Sequence, residues 1–104
     1  MPDAARLGDS TTTGHGCDTV TTIIASEDQA LVSTVRINNI IAAVDGDLLS
    51  PHTILSGISC VPHVAYVNIG STTVKIENIA AARVGDSADA GNITSGSGNV
   101  SIGG

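Results

Sequence analysis

Two stretches of the chain, VRINNIIAAVDGD at 35–47 and VKIENIAAARVGD at 74–86, align at an offset of 39, with Val, Ile, Asn, Ile, Ala, Ala, Gly and Asp matching at eight of thirteen positions. Thr34 and Thr73 extend the match. A third copy of the ending, AARLGD at 4–9, falls over AARVGD at 81–86 at an offset of 77, close to twice the first. The closing GSGNVSIGG at 96–104 shares Gly-Ser, a Val and an Ile with GSTTVKIEN at 70–78. The chain therefore opens on the end of a repeat and closes on the beginning of one. Periods of this size mark units that cannot bury their own apolar face and must stack on one another. Residues 1–104 make one domain by length, with repeats ending near Asp9, Asp47 and Asp86.

Within a unit the side chains alternate. In TVKIEN, Val74 and Ile76 point one way and Lys75 and Glu77 the other; in TVRIN, Val35 and Ile37 do the same against Arg36. A turn at Glu77-Asn78, a second short strand and a Gly-Asp corner complete the unit. With 12 Ile, 10 Val and 11 Thr, β-branched residues are abundant, and these favour strands over helices. The 12 glycines supply turns. The expected class is all-β, a small domain of short β-hairpin repeats with pseudo-threefold symmetry. There is no Phe or Trp and only Tyr66, so the core must be thin and aliphatic. A domain of that kind needs a disulfide, a metal or a partner chain as a staple.

The net charge is −6, with Arg6, Arg36, Lys75 and Arg83 the basic residues. Nucleic-acid binding needs clustered positive charge and often aromatic stacking platforms, and both are missing. No window approaches the run of about 18 apolar residues of a membrane helix, and the opening MPDAARLGDS does not read as a signal peptide. Cys17 and Cys60 could pair with each other. Without a secretion signal, a metal-binding or buried thiol is the preferred expectation.

The three histidines are placed by the repeat. His15 lies six residues after Asp9 and His52 five after Asp47. Equivalent points of units arranged about one axis converge on that axis. Cys60 and His63 are expected on the next loop. Three imidazoles and a thiolate make a tetrahedral set suited to Zn²⁺. Cys60 is preferred over Cys17 as the sulfur ligand because a Cys and a His three apart can chelate from both ends of a loop. Asp9, Asp47 and Asp86 read as corner residues accepting backbone N–H bonds, since an active site rarely needs three equivalent copies. Arg6 and Arg83 belong beside them.

PDAARLGD at 2–9, AAARVGD at 80–86, GDSTTTGHGC after the first corner, SPHT after the second, the CVPH pair and the closing GSGNVSIGG together resemble the proline-alanine-alanine-arginine (PAAR) repeat proteins, over essentially the whole chain. Asp3 interrupts the first copy, Ala80 stands for proline in the last, and IAAVDGD in the middle lacks the arginine. The family forms the sharp tips of contractile injection machines, namely phage tail spikes and type VI secretion spikes. The resemblance implies a cone stapled at its tip by one zinc ion per chain, on His15, His52, Cys60 and His63, with Cys17 as the alternative sulfur.

It further implies a structural protein and no enzyme. One tip would cap one trimeric β-helical spike and meet a target cell membrane transiently, with no nucleic acid and no small-molecule substrate. Synthesis is expected in the bacterial cytoplasm without a signal peptide, followed by assembly into a virion tail spike or baseplate, or injection by a secretion machine. The competing expectation is a zinc hydrolase with water in the fourth position of a three-histidine site. That chemistry needs a nearby base, and Asp18 is the only carboxylate close in sequence.

Overall fold

The computed structural model describes residues 1–103. They form short antiparallel hairpins: β1 (Ser10–Thr12) with β2 (Val20–Thr22), β3 (Arg36–Ile37) with β4 (Ile40–Ile41), β5 (His52–Ser56) with β6 (Ser59–His63), β7 (Lys75–Ile76) with β8 (Ile79–Ala80), and β9 (Ser87–Ala88) with β10 (Gly91–Asn92). One turn of 3₁₀ helix, Glu27–Gln29, interrupts them. The all-β expectation holds.

The two aligned segments fold into matching hairpins. Asn38 and Asn39 turn β3 into β4 with φ of 55° and 66°, and Glu77 and Asn78 turn β7 into β8 with φ of 52° and 69°. Two successive left-handed residues are the signature of the I′ turn, whose twist matches that of the strands it joins. Asparagine tolerates this region and glutamate does so poorly. Glu77 has compensation, because its carboxylate accepts bonds from the amides of Ser33 and Thr34 and the Thr34 hydroxyl at 3.0, 3.0 and 2.7 Å.

Beyond the hairpins, backbone bonds tie the three repeat segments together. The Ala5 amide donates to the Ala82 carbonyl, Ala82 to Ala43, and Ala43 back to Ala5, at 3.0, 2.9 and 3.0 Å. A second closed set of contacts runs from Leu7 to Ile41, Asp45 to Ala80, and Val84 to Asp3. Backbones this close leave little room for side chains, which accounts for the paired alanines: Ala4, Ala5, Ala42, Ala43, Ala81 and Ala82 are all buried. Around them Ile23, Ile41, Leu49 and Ile93 are fully enclosed, each worth about 1.5–3 kcal/mol of burial.

The Gly-Asp corners recur three times. Gly8, Gly46 and Gly85 all take φ near +90° (87°, 93° and 95°), a region that glycine enters without strain. The aspartate then folds back. Asp9 accepts from the Arg6 amide at 2.7 Å, Asp47 from Val44 at 2.8 Å and Asp86 from Arg83 at 2.8 Å. The carboxylates cap their own turns, as their recurrence suggests. Arg6 and Arg83 pair with Asp9 and Asp86 at 3.1 and 2.9 Å. Asp47 has a valine where the other corners have arginine and is completely buried. Its second oxygen accepts from the Leu31 amide at 3.2 Å. Burial raises its pKa, against the two amide bonds, which lower it.

The ends of the chain meet. Ala4 donates to the Val100 carbonyl and Ile102 to Pro2, both at 2.9 Å, with Asp3 opposite Ser101. These two segments together repeat what 35–47 and 74–86 do continuously. Ala4–Val100, Ala42–Val35 and Ala81–Val74 are the same bond in three places. Ile37, Ile76 and Ile102 are buried to nearly the same degree.

Candidate metal centre

His52 and His63 face each other as the first residue of β5 and the last of β6. Directly opposed residues of an antiparallel pair share a face, so this hairpin brings two imidazoles together. In HTILSGISCVPH, Thr53, Ile54 and Val61 lie on the two strands and Gly57, with φ of +63°, turns one into the other. Both histidines are therefore on strands rather than on loops. His15 arrives from the loop between β1 and β2, which Thr13 shapes: its hydroxyl oxygen accepts the His15 amide at 3.1 Å and its hydroxyl donates to the Asp18 carbonyl at 2.7 Å.

All three rings converge on Asp89, in the turn between β9 and β10. Nε2 of His15 and of His63 lies 2.8 and 3.2 Å from its Oδ1, and Nε2 of His52 lies 2.9 Å from its Oδ2. His63 stands edge-on to both other rings, with centroids 5.1 and 5.2 Å apart. Asp89 is fixed by its backbone: its φ is 55°, its amide donates to Tyr66 and its carbonyl accepts from the Asn68 side chain, both at 3.1 Å. His15, His63 and Asp89 form a group that could hold a metal ion, with one donor atom each, all within 4.8 Å of one another.

The electrostatics of the cluster call for a positive charge. Nδ1 of His52 lies 2.8 Å from the Ser50 carbonyl oxygen, so it must carry a proton and donate. Its Nε2, side chain 3 % exposed, then faces a carboxylate oxygen. A neutral imidazole would turn a lone pair toward that oxygen. The contact is favourable when Nε2 is protonated or when a cation is shared between nitrogen and carboxylate. Burial lowers the pKa of His52, but the Ser50 carbonyl and Asp89 outweigh it and the net direction is upward. Burial raises that of Asp89, and the three histidines reverse the sign.

Cys60 does not join the histidines. It is bonded to Cys17 in a disulfide, which corrects both the expectation of Cys60 as the metal's sulfur ligand, with Cys17 as alternative, and the preference for free thiols. The reason is strand geometry. Cys60 and His63 are three apart on β6, and an odd separation on a strand sends side chains to opposite faces. Cys60 sits opposite Leu55, toward the side where Gly16 packs and Cys17 bridges to Ile54. The disulfide spans 43 residues and stabilises by about 4 kcal/mol on the chain-entropy picture.

Asp89 is the residue that sequence reasoning missed, although a signal existed. The segments after the first two corners each supply a histidine, six and five residues on, and the segment after the third has no histidine, leaving Asp89, three residues after Asp86, as its nearest donor. The chain matches no protein-family model, and no curated protein is detectably similar to it.

Proposed function

We propose that the protein is the tip of a contractile injection spike: a small cone with pseudo-threefold symmetry that caps one trimeric β-helical spike, stapled at its apex by one zinc ion on His15, His52, His63 and Asp89. The reading keeps the PAAR resemblance and exchanges the sulfur ligand for a carboxylate. The observation that carries it is the closed ring of bonds through Ala5, Ala43 and Ala82, since three quasi-equivalent segments about one axis match a trimer in one-to-three stoichiometry. Val35, Val74 and Val100 are equivalently placed and nearly equally exposed, at 39, 37 and 37 %. They offer three like apolar contacts to three like chains, and capping covers the strand ends that such a spike would otherwise leave open.

Histidine nitrogen and carboxylate oxygen are both ordinary zinc donors, and the bond lengths place tetrahedral ligand atoms about 3.3 Å apart. The nitrogen-to-carboxylate spacings of 2.8 to 3.2 Å are close to this, with His15 and His63 on one oxygen and His52 on the other; His15, His63 and Asp89 stand together as they are, and His52 has to move to join them. Four protein donors leave no position for a reactive water, which favours a structural role over hydrolysis. A stiff apex bears axial load and performs no bond-making chemistry, and contact with a target membrane is transient.

Mixing the protein with a candidate spike trimer and measuring mass by light scattering tests the reading. One chain per trimer is expected, and Val74→Glu together with Val100→Glu should abolish binding while leaving zinc content at one per chain. A three-to-three complex would refute it.

A further inference from the structure

We propose that the Cys17–Cys60 disulfide is a redox latch on the metal centre, holding His15 in the ligand set only while the two sulfurs are joined. The inference rests on the metal reading of the His15, His52, His63 and Asp89 cluster. His52 and His63 are fixed to each other by five paired positions of one hairpin, and Asp89 by its own turn. His15 alone comes from a separate loop, so the site is complete only if that loop stays docked on β5.

Two features dock it on β5, while its start is held separately against the Asp89 turn, where the Ala90 amide donates to the Thr13 carbonyl at 3.1 Å. One is the disulfide, two residues from His15 on one side and three from His63 on the other. The other is Asp18, whose amide donates to the Thr53 carbonyl at 3.2 Å and whose carboxylate accepts from the Thr53 amide and hydroxyl at 2.7 and 2.9 Å. These bonds are exposed to solvent and compete with water. Cys17 itself is a non-glycine residue at φ +67°, a conformation that persists only where its surroundings enforce it. Cutting the sulfur bond removes the enforcement, and the loop relaxes away from the strand.

Both cysteines are exposed, so a reductant can reach them. A dithiol delivers two electrons and two protons: the Cys17–Cys60 bond breaks, two thiols form, and the dithiol closes into its own disulfide. The freed Cys60 side chain remains on the face of β6 away from His63 and does not replace the lost ligand. A loop that keeps His15 in place a tenth of the time weakens apparent metal affinity about tenfold. Linkage is reciprocal, so bound metal makes the disulfide harder to reduce by the same factor.

The test is zinc affinity by chelator competition for three forms: oxidised protein, protein reduced on an immobilised phosphine and kept anaerobic, and the Cys17→Ala/Cys60→Ala variant. Reduced protein and the double variant should both bind at least about tenfold more weakly than the oxidised form, and in a His15→Ala background all three should bind alike. The reduced wild-type chain keeps the experiment decisive if the double variant fails to fold. Poising the protein in a glutathione buffer with and without zinc, then counting alkylated thiols by mass, should show the reciprocal shift of equal size. Equal affinity in oxidised and reduced protein overturns the latch alone, as does tighter binding after reduction, which would mean that the thiols enter the ligand set. Oxidised protein that takes up no zinc overturns the metal reading and the latch with it.

Discussion

Replacing Asp89 by asparagine keeps the shape of the side chain and removes the charge on which three imidazoles converge. The cost in the metal-free protein can be estimated contact by contact. The His52 contact is enclosed on both sides, the two side chains being 3 and 7 % exposed, and a hydrogen bond to a charged group there is worth about 1.5–3 kcal/mol. His15 and His63 are 28 and 27 % exposed, so water replaces much of what they lose and each contributes less than about 1 kcal/mol. The sum is about 2–4 kcal/mol, which for a domain of this size lowers Tm by about 10–20 °C. Circular-dichroism melts at neutral pH in excess chelator, with the disulfide intact, read this directly. Adding zinc should then raise Tm of the parent and leave Asp89→Asn almost unmoved, because losing a direct ligand exceeds the 10–100-fold typical of losing an outer-shell partner. A metal-free variant within about 0.5 kcal/mol of its parent, the range of neutral surface changes, would show that the carboxylate does not organise the rings. Equal stabilisation of both proteins by zinc would remove it from the ligand set.

Gly96→Ala places a Cβ 2.6 Å from the Ala4 carbonyl oxygen and 2.8 Å from Val84, where the two ends of the chain join; urea unfolding should show a loss of about 1–3 kcal/mol. Gly98→Ala meets nothing within 4 Å and serves as the neutral comparison. Asp47→Asn tests the buried corner without an arginine. Its folded pKa is raised above the ordinary value of 3.8, so its contribution is fully present below that value and is lost as pH rises through the folded pKa. Parent stability measured relative to the variant should therefore fall as pH is raised from below 3.8 toward neutrality, and a difference that grows over that span refutes the assignment.

What the sequence disclosed was whatever recurs. The aligned Gly-Asp pairs gave the corners and the structural role of Asp9, Asp47 and Asp86, because a self-capping turn depends only on residues a few places apart. The buried Ile37 and Ile76, and the turns at Asn38-Asn39 and Glu77-Asn78, follow from local alternation in the same way. The disulfide was hidden because it depends on which face of β6 each side chain takes, and that required knowing that 59–63 is a strand. Once Cys60 and His63 are placed on opposite faces, the chelating pair dissolves and Cys17 becomes the natural partner. Asp89 was hidden by chemistry rather than geometry. A search for histidines and cysteines passes over a carboxylate, even in the one repeat segment whose corner is followed by no histidine.

The joining of segments 2–4 and 100–102 sets an order on assembly during synthesis. Most domains can begin to consolidate from the N-terminal side as the chain emerges. Here the first strand-like segment has no partner for Ala4 until Val100 is made, and the ring through Ala5 waits on Ala82. Residues 2–4 must stay unpaired until residues 100–102 have been translated. Contacts of such long sequence separation make for slow closure. A chain halted before residue 100 would lack the completion of its first unit as well as its last, and so would be a poor substitute for two-thirds of the fold.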